Sequence, residues 1–139
     1  MKILIFGLPG SGKTTLAKDL VKLIGGVHIN ADEVRESYDD WDFSIEGRIR
    51  QAYRMKFLSD GVVLAGKIAI ADFICPTKKT REEFKAHFSI WMDTIEKGEY
   101  EDTNKIFEKP NNVDYHVTEW LEDTPIKVEK LINEFLARR

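Results

Sequence analysis

Residues 2–15 read KILIFGLPGSGKTT. Ile3 to Phe6 is a short apolar run that reads as a buried strand, and Gly7 ends it. Gly7-Leu8-Pro9-Gly10-Ser11-Gly12-Lys13-Thr14 then satisfies the pattern G-x-x-x-x-G-K-[ST]. The spacing has a chemical reason. Glycines let the backbone curl so that successive N–H groups converge on phosphate oxygens. The helix expected from Lys13 offers unpaired N–H groups and the positive end of its dipole. Lys13 can reach the outer phosphates, and the Thr14 hydroxyl can ligate Mg²⁺. The phosphate-binding candidates are Gly7, Pro9, Gly10, Ser11, Gly12, Lys13, Thr14 and Thr15. A glycine-rich turn with an incidental lysine is the plain alternative. The apolar strand before the loop and the amphipathic segment after it weigh against that alternative.

Working outward, Leu16, Leu20 and Leu23 predict a helix from Lys13 to Ile24, stopped by Gly25-Gly26. Val27 to Asn30 predicts a second strand, with a short helix around Asp32 to Ser37. Ile45 to about Ala65 predicts the longest helix, with Gly66 as its stop. Lys67 to Ile74 predicts a third strand, Thr80 to Phe88 a charged helix and Ser89 to Met92 a fourth strand. Residues 94–112 read as an ordered loop or shortened lid, and Tyr115 to Val117 as a fifth strand. Thr124 is the expected N-cap of a last helix, with Pro125 at its first position. Strands alternating with helices imply an α/β chain with a three-layer P-loop NTPase fold. Its mostly parallel sheet of about five strands is flanked by helices. The 139 residues suit a single domain, 1–139.

A net charge of −3 with interspersed signs argues against general nucleic-acid or membrane-surface binding. One cysteine allows no internal disulfide, so a reducing, cytoplasmic setting fits. The first apolar run is too short for a signal-peptide core. No stretch approaches the roughly 18 apolar residues that cross a bilayer.

Asp32 follows the second strand, where ligand groups gather in parallel sheets. It is placed to orient Mg²⁺ or take the proton of an attacking hydroxyl, and a helix cap is the plainer role. Asp72 ends the run KIAIAD, the pattern of a metal-side acid. Lys13 and Asp32 are the catalytic candidates, and Thr14, Asp32 and Asp72 the metal candidates. Arg35, Arg48 and Arg54 could frame an anion pocket, with Gln51 sharing the face of Arg48. Phe43 and Tyr100 could stack on a base. Cys75 has no evident base partner and reads as a packed thiol. The loop alone does not choose between kinase, GTPase and motor. The N-K-x-D motif of a GTPase is absent, and the small chain most resembles a small-molecule or nucleotide kinase.

An ordered set of motifs narrows this. GLPGSGKTTLAKDL, NADEVRE, WDFSIEGRIRQAYRM, ADFICPTKKTREEF and FEKPNNVDYHV follow one another in an order that resembles adenylylsulfate kinases. Members show G-L-S-G-x-G-K-[ST], D-G-D-N-[VIL]-R, G-F-S-x-x-D-R-x-x-N-[IV]-R-R, F-[IV]-S-P-[YF]-x-x-x-R and Y-E-x-P. The family moves the γ-phosphate of MgATP to the 3′-hydroxyl of adenylylsulfate. The resemblance therefore implies ATP and Mg²⁺, and a small nucleotide-like acceptor. It also implies acceptor contacts at Arg35, Phe43, Arg48, Phe73, Ile74 and Pro76, with Tyr100 near the place of a stacking lid aromatic; Gln51, beside Arg48 on its helix face, is the further acceptor candidate. A homodimer is compatible with it. This sequence departs at Asn30, Ala31, Gly47, Gln51, Tyr53, Cys75 and Asp72. It carries no arginine between Arg81 and Arg138, where the family's basic lid would lie. A kinase for another hydroxyl, such as a nucleoside, nucleic-acid end or metabolite, is the nearest alternative. A nucleotide-binding protein without turnover is the other.

Overall fold

The computed structural model of the protein describes residues 1–138. Its elements run β1 (Lys2–Phe6), α1 (Lys13–Ile24), β2 (Val27–Asn30), α2 (Ala31–Tyr38), α3 (Ile45–Leu64) and β3 (Ala69–Asp72). They continue α4 (Lys78–Phe84), β4 (Phe88–Met92), α5 (Glu101–Ile106), β5 (Tyr115–Val117) and α6 (Thr124–Ala137). The five strands form one sheet in the order β2-β3-β1-β4-β5, and every pairing is parallel. The chain winds to one side of β1 and then to the other. The end of β1 therefore opens into a crevice between β3 and β4, where parallel sheets hold ligands.

The alternation of β1 explains the layers. Ile3 and Ile5 pack with Leu16, Leu20, Val128 and Ile132, on the face covered by α1 and α6. Leu4 and Phe6 pack with Ala52, Met55, Phe73 and Phe84, on the face covered by α3 and α4. A strand buried on both faces reads as an unbroken apolar run, and Ile3 to Phe6 is one. At the end of β3 the same alternation sends Asp72 and Phe73 to opposite faces. Among the described residues no helix is long and apolar enough to cross a membrane.

Several boundaries differ from expectation. The segment 94–112 contains a helical piece, α5, with Glu101 and Asp102 in its first turn and Thr103 buried. The third strand starts at Ala69 rather than Lys67, because Gly66 turns the chain at φ 80°. The charged helix begins at Lys78, since Thr77 caps it in a reciprocal capping box with Thr80. It ends at Phe84, where Lys85 takes a left-handed conformation. Thr124 does not cap α6. Asp123 holds that position without a side-chain bond, and the Thr124 hydroxyl accepts the Leu121 N–H at 3.0 Å.

Candidate active site

The phosphate loop links the end of β1 to the start of α1. Gly12 is the N-cap of α1 at φ 98°, a left-handed conformation that a side chain would strain, and it offers no capping oxygen. The first N–H groups of α1 are thus left for an outside acceptor. The Lys13 ammonium folds back to donate to the Leu8 carbonyl at 3.0 Å. Burial lowers it from 10.5 to about 8, while Asp72 and Asp32 pull the other way. Pro9, Gly10, Lys13 and Thr14 line a cavity of about 590 Å³. Gly7, Ser11, Gly12 and Thr15 stand outside its wall. The Ser11 hydroxyl is buried without a hydrogen-bond partner.

The two candidate acids differ in setting. Asp72 is buried at the end of β3. It accepts from the Thr14 hydroxyl at 3.2 Å and from the Asn30 amide at 3.2 Å, and it faces His28 Nε2. Asp32 is exposed in the first turn of α2 and lines the same cavity. The plainer role for it, a helix cap, falls to Asn30, whose Oδ1 accepts the Glu33 N–H at 3.1 Å. The carboxylate of Asp32 is therefore not consumed by the helix. No group of three or more His, Cys, Asp or Glu among the described residues makes a metal cage. Mg²⁺ rarely uses one; one or two carboxylates, a hydroxyl and phosphate oxygens are its usual partners. Thr14, Asp72 and Asp32 fit that chemistry.

The same cavity is also lined by Arg35, Phe43, Arg48, Gln51, Phe73, Ile74 and Tyr100. Arg35 reaches the Asp40 and Asp42 carbonyls at 3.0 and 3.1 Å and lies 4.2 Å over the Phe43 ring. Arg48 donates to the Phe43 carbonyl at 2.8 Å and to the Thr103 hydroxyl at 3.0 Å. Gln51 donates to the Ala31 carbonyl at 2.9 Å, tying α3 to α2. The two guanidinium groups hold Phe43 at the cavity rim. Gly47 makes room for this turn: a Cβ there would lie 2.2 Å from the Asp42 carbonyl oxygen. The expected three-arginine pocket does not form. Arg54 pairs with Asp40 at 2.6 Å, stacks over Tyr38 and stays out of the wall. Cys75 lines the cavity but is buried, and burial pushes its thiol up to about 12.

Sequence reasoning passed over three side chains. His28 touches Asp72 from a strand position that the period-two pattern places beside Asn30 on one face. Arg81 donates to the Cys75, Pro76 and Glu108 carbonyls at 3.0, 3.1 and 2.6 Å, between the rings of Phe6 and Phe107. Its signal was available, since it ends the F-I-x-P-x-x-x-x-R run. Thr103 ties α5 to Arg48, and a lone threonine in a polar segment carries no such signal.

The comparisons with known proteins bear on the family and the fold. The family model for adenylylsulphate kinase matches residues 1–112. An adenylyl-sulfate kinase of Shewanella baltica is 32% identical over 90 residues, covering 60% of this chain and 44% of the relative. One from Shewanella halifaxensis is 35% identical over 88 residues, covering 59% and 43%. The chain thus spans under half the length of the curated relatives it matches. A Mycobacterium tuberculosis APS kinase, solved with AMPPNP and APS, superposes with a TM-score of 0.74 at 17% identity. That superposition covers 95% of this chain and 96% of the other, and it speaks for the fold alone. With a family model matched from the phosphate loop to beyond α5, this chain belongs to the adenylylsulphate kinase family.

Proposed function

We propose that the protein moves the γ-phosphate of ATP to a hydroxyl of a nucleotide-like acceptor, with adenylylsulfate the acceptor its family membership favours. The observation that carries this reading is one cavity with two kinds of wall. Lys13 and Thr14 stand on one side, and Phe43 held by Arg35 and Arg48 stands on the other, with Asp32 bordering both.

The roles follow from chemistry. The N–H groups at the start of α1 and the Lys13 ammonium hold the outer phosphates and stabilise charge that grows on them. Asp32 orients the acceptor hydroxyl and accepts its proton. Arg35, Arg48 and Gln51 position an anionic acceptor whose base stacks on Phe43, beside Phe73 and Ile74. Tyr100 covers it from residues 94–112, which act as a short lid. Thr14, Asp72 and Asp32 are the residues that would hold Mg²⁺, which when bound neutralises phosphate charge and orients the transferring group. A single domain, a reducing cytoplasmic setting and a homodimer complete the reading. The exposed apolar residues Ile45, Tyr53 and Phe57 along α3 support the homodimer, and sedimentation tests it.

The deciding experiment is a coupled ATP-consumption assay with adenylylsulfate, a panel of nucleosides and small hydroxyl metabolites. ATP-dependent formation of phosphoadenylylsulfate is the expected result. Turnover only with a nucleoside or sugar would replace the acceptor, and no product with any acceptor would sink the kinase reading.

A further inference from the structure

The buried acid of the site is held from behind. β2 and β3 pair in register with Asn30 opposite Asp72, and His28 stands two residues earlier on β2, opposite Ile70. His28 and Asn30 point to the same face. Both reach Asp72: Asn30 through Nδ2 at 3.2 Å, His28 through Nε2 on the same Oδ2 oxygen. The direction of the Asn30 amide is fixed, because its Oδ1 is occupied by the Glu33 N–H. Asp72 in turn receives the Thr14 hydroxyl proton on Oδ1. With that proton engaged and one lone pair accepting from the Asn30 amide at 3.4 Å, Thr14 Oγ1 keeps its other lone pair for anything beyond it, which is what a cation requires.

The three front members, Thr14, Asn30 and Asp72, line the cavity, and His28 does not. His28 is therefore a support, with no contact of its own to a ligand. The Asp72 side chain retains 4% of its exposure and that of His28 17%. A carboxylate so enclosed must be fully partnered to stay charged and fixed. Its partners set the plane in which its remaining lone pairs lie.

We propose that His28 is a positioning residue for the metal side of the site. Through Asp72 it fixes the Thr14 hydroxyl, and so sets how strongly the protein favours nucleotide that carries a divalent cation over nucleotide that does not. The inference rests on the MgATP reading of the cavity. Outer-shell partners of metal-side groups typically change metal affinity about 10–100-fold.

The test uses the full chain and the unreactive analogue AMPPNP, titrated by calorimetry in EDTA and again in excess Mg²⁺. The ratio of the two dissociation constants measures the coupling of metal to nucleotide, and linkage makes it reciprocal. His28→Ala is expected to leave the EDTA affinity within about twofold and to shrink the ratio about tenfold or more. His28→Gln, whose amide N–H can replace the imidazole donor, is expected to restore most of it. Should His28→Ala fail to fold, His28→Gln and His28→Leu carry the comparison. An unchanged ratio in His28→Ala overturns the proposal. So does an equal loss in EDTA and in Mg²⁺, which would mark a purely structural residue. If the wild-type chain binds AMPPNP equally with and without Mg²⁺, this inference falls while the nucleotide site stands. If it binds no AMPPNP, the kinase reading falls first.

Discussion

Residues 7–14 and residues 94–112 border the same cavity, and they are built by opposite means. The phosphate loop takes its shape from backbone geometry, with a strand before it, a helix after it and left-handed glycines between. The second segment is placed by side chains that reach it from elsewhere. Arg48 of α3 holds Thr103 at 3.0 Å, and Arg81 of α4 holds the Glu108 carbonyl at 2.6 Å. The segment also reaches out, with Thr94 donating to the Ser11 carbonyl at 2.8 Å, and a local side-chain tie is the pair of bonds between Asn104 and Gly98. One wall of the site is specified locally and the other by sequence separations of tens of residues. Substitutions should therefore act differently on them: on chemistry in the first, on docking and stability in the second.

The largest expected effect is Lys13→Ala. On the proposed reading its loss removes charge that stabilises the transferring phosphoryl, so turnover should fall about 10²–10³-fold. The ammonium is buried and held near 8, so charging it costs stability and its removal should not lower the melting temperature. Steady-state rates and a thermal melt on one preparation check both halves. A variant that lost stability along with rate would break the contrast between the two walls.

Next in size is a pH effect on the same residue. Because burial holds Lys13 at about 8, ATP should bind well below that pH. Its affinity should then weaken by up to about tenfold per pH unit above, as the cation is lost. Lys13→Ala should flatten the profile. Stability of the free protein moves the other way. Between about 8 and 10.5 the unfolded chain keeps a proton that the native chain has released, so this residue's contribution rises with pH. Calorimetric titrations across pH 7–9.5 test the first statement and denaturant melts the second.

What could be read from the sequence follows the same division. β1, the loop and α1 were legible because each signal sits within a few residues: an apolar run, a glycine pattern, leucines at helical spacing. Asn30 was readable as a strand end, but its capping of α2 was not, because Asp32 looks equally suited in sequence. Arg54 looked like a cavity cation. Only the fold reveals that Asp40, fourteen residues away, takes its charge. The tie from His28 to Asp72 spans 44 residues and exists only because β2 pairs with β3 in one register. The helical piece α5 sits in a polar stretch without apolar periodicity. It owes its place to Thr103 buried beneath Arg48, and local propensity does not carry that information.

Arg81→Ala sharpens the contrast on the second wall. It strips donors from three carbonyls and a cation from between two rings. Hydrogen bonds to a charged group carry about 1.5–3 kcal/mol each, discounted here because Arg81 is partly exposed. A loss of about 2 kcal/mol in unfolding free energy is expected, with nucleotide affinity falling much less. Urea denaturation measures the first quantity and AMPPNP titration the second. A fall in affinity larger than the fall in stability would show that the anchor governs the phosphate side as well.

The smallest expected effect is also the most local. Thr103→Val keeps the shape of the side chain and removes the hydroxyl that accepts from Arg48. One hydrogen bond to a charged donor, partly replaced by water at the cavity edge, is worth about 1 kcal/mol. Amide exchange in 101–106 should then speed up about fivefold, since 1.4 kcal/mol corresponds to tenfold. Exchange in residues 7–14 should not change, because nothing in the loop hangs from Thr103. Acceptor KM should rise by a similar small factor while ATP affinity holds. If the loop amides exchanged faster as well, the two walls would be one cooperative unit. Local backbone geometry would then be an incomplete account of the phosphate loop, and the tie from Thr94 to Ser11 would be the route by which the second segment reaches it.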